Sequence, residues 1–151
     1  MSISPAGFSW PIRVYYEDTD VSGVVYHANY LKFFERARTE WLRALGYSQE
    51  RLRHDVQVAF TVSRVEVAFR SPARLDDELL ATVAVTELKR ASLVMVQQLR
   101  LGDLAGRLLA EAKVTVVSVD AAGFKPCALP GGFRERVQVI ENAAARSTSS
   151  D

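Results

Sequence analysis

From Tyr30 onward, large apolar side chains recur at Phe33, Phe34, Ala37, Trp41 and Leu45, with Lys32, Glu35, Arg36, Arg38, Glu40 and Arg43 between them. Spacings of three and four place the first set on one face, which predicts an amphipathic helix over about 29–45 that Gly46 stops. Upstream, residues 8–16 are rich in Trp, Ile, Val and Tyr and read as a strand. Between strand and helix lies an acidic turn with Asp18, Asp20 and Gly23. Ser48 is placed to cap a short second helix through about Arg53. After His54 and Asp55 the period changes to two. Val56, Val58, Phe60 and Val62 form one alternating set, and Val65, Val67 and Phe69 another, so a bulge or break is expected near Ser63 and Arg64.

A turn containing Pro72 and Asp77 follows. Strands are then predicted over 78–89, 92–101 and 104–120, joined at Arg90–Ala91 and by a tight hairpin at Gly102–Asp103. Residues 121–132 read as turn and irregular chain, and 133–145 as a weak helix. The small and polar residues 1–7 and the tail from Arg146 are expected to be frayed or disordered. One apolar-faced helix beside one amphipathic antiparallel sheet is a two-layer α+β domain. The strands are longer than usual, so pairing of sheet edges between two copies is expected.

Composition narrows the function more than the fold. The 151 residues carry 19 Lys and Arg against 18 Asp and Glu, a net charge of +1, so no global field selects nucleic acid or a membrane surface. One cysteine, Cys127, excludes an internal disulfide and a cysteine-based zinc site, and fits a reducing compartment. No apolar run reaches the roughly 18 residues of a membrane span, and no signal peptide is read at the start. A cytoplasmic protein is expected.

The acidic turn admits three readings. As a calcium loop, Asp18, Asp20, Ser22 and Gly23 fill the first half, but Asn29 stands where a bidentate carboxylate is required. As an Asp-x-Asp phosphotransfer loop it calls for a parallel sheet covered on both faces, which too few helices are present to supply. The third reading is thioester hydrolysis, and here a longer match enters.

The run Tyr16-Glu-Asp-Thr-Asp20-Val-Ser-Gly23-Val-Val-Tyr-His27-Ala-Asn-Tyr30-Leu-Lys-Phe-Phe-Glu35-Arg-Ala-Arg38, with Val65-Glu-Val-Ala-Phe-Arg-Ser-Pro72-Ala-Arg74-Leu-Asp-Asp77, resembles the 4-hydroxybenzoyl-CoA thioesterase-like hotdog family. The resemblance is strongest to its Tol–Pal-associated acyl-CoA thioesterase branch, and covers roughly residues 10–120. It implies a hotdog domain over 9–130, a curved antiparallel sheet around one long helix, between a flexible 1–8 and an extension over 131–151.

The resemblance also implies roles. Asp20 matches the catalytic carboxylate, where the positive end of the helix favours its ionised form; a turn-capping Asp is the ordinary alternative. His27 is a second catalytic candidate, or a helix-start residue bonded to backbone. Gly23, Val24, Val25 and Tyr26 match the substrate-binding turn, with unpaired amides near Tyr26, His27 and Ala28 for the carbonyl oxygen. Tyr16 reads equally as core or pocket. Asp18 reads as a stabiliser of the turn. Phe60, Thr61 and Val62 match an acyl-pocket wall, one that a neighbouring subunit can contribute. Lys89 and Arg90 are the first choice for the phosphates of CoA, with a solvated basic turn as the alternative. No metal and no cofactor is implied. The partners expected are acyl-CoA, acyl carrier protein as a second thioester donor, and further copies of the chain as a homodimer or homotetramer. A dehydratase acting on carrier-protein thioesters fits poorly, because it pairs His with Glu. A binding module without turnover needs no ionised carboxylate.

Overall fold

The computed structural model describes the backbone of residues 7–149 and the side chains of residues 7–143. The fraying expected over 1–6 and the disorder expected at Ser150 and Asp151 lie outside the described residues. Five strands, β1 (Phe8–Arg13), β2 (Val58–Phe69), β3 (Glu78–Leu88), β4 (Ser92–Leu101) and β5 (Leu108–Asp120), form one antiparallel sheet in the order β1-β3-β4-β5-β2. Helix α1 (His27–Ala44) lies across its inner face.

The predicted helix face is the buried one. Phe33, Phe34, Ala37 and Trp41 meet Leu79, Ala81, Val83, Leu93, Met95, Ala110, Ala112 and Val114 in a single core. Burying four such helix residues contributes about 1.5–3 kcal/mol for each large side chain, which outweighs their individual helix propensities. Gln97 is fully buried and satisfied: its amide nitrogen donates to the Phe34 carbonyl at 3.0 Å, and its oxygen accepts from Arg38 Nη1 at 2.9 Å. The Tyr30 hydroxyl accepts the Ala73 amide at 3.0 Å and ties the start of α1 to the turn before β3.

Several boundaries differ from the sequence expectation, two of them because an Asp side chain captures backbone. β1 ends at Arg13 rather than Tyr16, because the Asp18 carboxylate accepts the Tyr15 amide at 2.8 Å and folds Tyr16–Asp18 into a 3-10 turn. β5 begins at Leu108 rather than Leu104. Asp103 accepts the Ala105 amide at 2.9 Å, and the connection becomes a wider loop closed by Leu101 N–H to Arg107 O. The short helix α2 (Gln49–Arg51), capped by Ser48, continues as a π turn over Leu52–Val56. The bulge in β2 falls between Val62 and Arg64, where the hydrophobic parity changes.

The C-terminal helix α3 (Phe133–Ser149) runs beyond the expected end at 145 and includes residues placed in a disordered tail. It is anchored at its start. Phe133 and Val137 are buried, and Arg136 donates to the Leu45 carbonyl at 2.9 Å while its guanidinium lies over the Tyr47 ring. Farther along, Glu141 accepts the Val85 amide at 3.3 Å, just past Val83 where pairing with β1 stops. The second oxygen of Glu141 is buried and has no partner among the described residues. Burial raises this carboxyl above its ordinary range, and the Val85 amide opposes the shift. A carboxyl raised in this way binds its proton more readily when folded, so it lowers stability as pH rises and not below the ordinary carboxylate range. Glu141→Gln is therefore expected to raise Tm at neutral pH, with the gain vanishing in acid. A lower Tm at neutral pH, read by thermal denaturation, would contradict this.

Candidate active site

Two acids in one turn have opposite surroundings. Asp18 is 3% exposed, accepts the Tyr15 amide, and accepts Asn29 Nδ2 from the first turn of α1 at 3.1 Å. Its carbonyl accepts the Tyr26 amide at 3.0 Å. Every part of Asp18 is spent on holding the turn against the helix. Asp20 is exposed: one carboxylate oxygen accepts the Ser22 amide at 2.8 Å, and the other has no partner among the described residues. The turn closes through Gly23 N–H to Asp20 O and Asp20 N–H to Val24 O. Gly23 has φ +80, a conformation that favours glycine, and open space surrounds the place of a Cβ.

Other residues of this segment divide. Val25 is core, with its amide on the Ala73 carbonyl, and Val24 bridges to Arg74. Tyr16 is 82% exposed. The Tyr26 amide is occupied by Asp18, so the expectation of an unpaired donor there is corrected. His27 and Ala28 lie where no helical carbonyl reaches back, and their amides have no acceptor among the described residues. The exposed His27 ring packs on Tyr26 at 4.5 Å and meets Phe69 edge-on at 6.3 Å. Its nitrogens make no hydrogen bond among the described residues. An exposed carboxylate oxygen and free helix-start amides therefore stand on one short segment, able to supply a base or nucleophile and oxyanion donors.

The second group of predicted residues sits elsewhere. Phe60, Thr61 and Val62 line a cavity of about 350 Å³. Trp41, Leu42, Leu93, Met95, Val116 and Phe133 form its buried part, and Glu35, Thr61, Val62 and Gln49 its exposed side. Arg38 also lines it. Burial lowers the Arg38 pKa, and the nearby charge of Glu35 opposes the shift. Lys89 and Arg90 are exposed on the β3–β4 connection, Lys89 lying 3.4 Å from Glu87. Register puts that connection at the cavity end of the sheet, since Ser92 pairs Val117 and Val117 pairs Thr61.

His27 touches Phe69, at the opposite end of β2 from Phe60. Nine strand residues span about 30 Å. Within one chain, the acidic turn and the cavity are therefore far apart. Most of the cavity lining escapes a linear reading, because it comes from six separate elements. Phe133 carried one signal, an aromatic just beyond a Gly-Gly pair at the head of a helical pattern. Among the described residues, no three His, Cys, Asp or Glu are grouped to hold a metal.

The family model described as the thioesterase-like superfamily matches residues 14–137. The acyl-CoA thioesterase YbgC of Haemophilus influenzae is 48% identical over 124 residues, 82% of this chain and 89% of that protein. The long-chain acyl-CoA thioesterase FadM of Escherichia coli is 33% identical over 119 residues, 79% of this chain and 88% of that one. The crystal structure of a probable thioesterase from Bartonella henselae matches with a TM-score of 0.77 and 38% identity, covering 83% of this chain and all of that one.

The two acids are expected to separate in a stability experiment. Asp18→Ala leaves the Tyr15 amide and Asn29 without their acceptor and should lower unfolding free energy by about 2–3 kcal/mol. Asp20→Asn keeps an acceptor for Ser22 in an exposed position and should change it by less than about 0.5 kcal/mol. Urea midpoints of the two variants test this, and equal losses would contradict the division of roles.

Proposed function

Because the chain belongs to the thioesterase-like superfamily, we propose that it hydrolyses acyl-CoA thioesters to the free acid and CoA, with Asp20 as the reacting carboxylate. The observation that carries this reading is the free, exposed oxygen of Asp20, beside a second acid wholly committed to structure. Asp20 acts in one of two ways. As a nucleophile it forms a C–O bond to the thioester carbon, the C–S bond breaks, and water then opens the mixed anhydride. As a general base it takes a proton from the attacking water. In both, the carbonyl oxygen gains negative charge facing the amides of His27 and Ala28, whose donors and helix dipole are already oriented. His27 orients the water or returns a proton to the departing thiolate.

The acyl side of the site comes from a second copy. β2 is an outer strand with residues 61–66 exposed, and Val62, Val65 and Phe69 present apolar surface along it. An uncovered edge of this length is a template for pairing. A two-fold axis through the middle of β2 runs the two strands antiparallel and sets Phe60 of one copy near Phe69 of the other. The acidic turn of each copy then faces the cavity of its neighbour. Lys89 and Arg90 lie at the cavity end and hold the CoA phosphates. Their use favours CoA over a carrier-protein thioester, which lacks that nucleotide. No helix of the described residues is long and apolar enough to cross a membrane.

Thiol release from a panel of acyl-CoAs tests the assignment. Asp20→Asn is expected to lower turnover by about 10² to 10⁴-fold with the fold intact. Hydrolysis near the wild-type rate would remove Asp20 from the chemistry.

A further inference from the structure

We propose that Phe133, the first residue of α3, is the floor of the acyl cavity and limits the length of chain this enzyme accepts. The inference rests on the reading of the cavity as the acyl site. The gradient of burial sets its direction: exposed Glu35, Thr61, Val62 and Gln49 surround the opening, and Trp41, Leu93, Met95 and Phe133 are buried. Most of the buried lining belongs to α1 and the sheet, which form the side walls of the domain. Phe133 alone comes from α3, outside that helix and sheet, and is 1% exposed.

The ring bridges the two walls. It meets Trp41 of α1 edge-on at 6.1 Å, Phe60 of β2 at 5.6 Å and Tyr47 at 5.6 Å. Its backbone is held as well, with the Phe133 amide on the Pro130 carbonyl at 3.1 Å and the Arg136 amide on the Gly132 carbonyl at 3.1 Å. One turn later the Arg136 side chain bonds the Leu45 carbonyl, and Arg134 reaches the Leu88 carbonyl at 3.3 Å. A fixed aromatic ring is a hard stop for an alkyl chain. At about 30 Å³ for each methylene, close to the share of a water molecule, the cavity of about 350 Å³ takes on the order of ten carbons. Removing the phenyl ring opens space for about four more.

The experiment is a chain-length profile, from butyryl-CoA to palmitoyl-CoA, read by thiol release on the purified full-length protein and three variants. Phe133→Ala should move the preferred chain upward by about four carbons and raise kcat/KM for the longest substrates about tenfold. Butyryl-CoA, too short to reach the floor, should be the substrate whose kcat/KM changes least. Phe133→Leu, which retains an apolar anchor for α3, should give a smaller shift in the same direction, and Phe133→Trp a shift toward shorter chains. Calorimetric binding of alkyl-CoA thioethers, which cannot be hydrolysed, should show the same shifts without turnover. An unchanged length preference in folded variants, by both measurements, overturns the floor assignment. Length-dependent binding that moves with residue 133 in a protein that hydrolyses nothing upholds the floor and overturns the proposed reaction.

Discussion

The length of β2 is the constraint on which the site depends. Its twelve residues run from Val58, at the cavity end, to Phe69, beside His27. A strand is stiff and extended, so one chain has no means of folding its acidic turn onto its own cavity. The same strand is the uncovered edge of the sheet, with apolar side chains exposed along it. Distance and exposure point to one resolution: antiparallel pairing of two β2 strands exchanges the ends. A site assembled in this way needs no long loop or moving lid to unite its halves. In the proposed dimer, activity would depend on association, since a separated copy holds both parts and joins neither.

Within each half the chemistry depends on buried support for an exposed group. Asp18 satisfies the backbone around it and cross-links the turn to Asn29, which leaves Asp20 free to face solvent. The buried pair of Gln97 and Arg38 does similar service under the cavity, with Gln97 joining the α1 backbone to the Arg38 side chain. A guanidinium drawn partly out of water is expensive unless its donors are used, so this network also keeps the shape of the cavity wall. The fold is thus a rigid frame with Asp20 and His27 at the surface, where the proposed second copy would cover them.

Much of this was legible in the chain. Period 3.6 from Tyr30 to Leu45 identified the buried face of α1, and the change of parity at Ser63 identified the β2 bulge, because both reflect which side of an element meets the core. β4 was delimited by turn residues on both sides and has the expected bounds, Ser92–Leu101. The family was recognisable because the motif around Asp20 and His27 is written in contiguous residues. The boundaries of β1 and β5 moved where Asp18 and Asp103 captured backbone amides, which hydrophobic periodicity does not register. The pairing of the Tyr26 amide with Asp18 was invisible for the same reason. Phe133 lay in a stretch read as a weak helix, and the role proposed for it rests on packing against Trp41, Tyr47 and Phe60, residues remote in sequence.

A mixing experiment tests the central claim that the carboxylate of one copy serves the cavity of another. One variant, Asp20→Asn, lacks the carboxylate; a second, Thr39→Trp, at a residue of α1 that lines the cavity, fills it and keeps Asp20. Each alone should be inactive. Co-refolded in equal amounts, half the dimers are mixed and each mixed dimer holds one intact site, so about a quarter of wild-type activity per chain should return. No recovery, with mixed dimers demonstrated by differential tagging, would show that each chain works on its own cavity and would contradict the account.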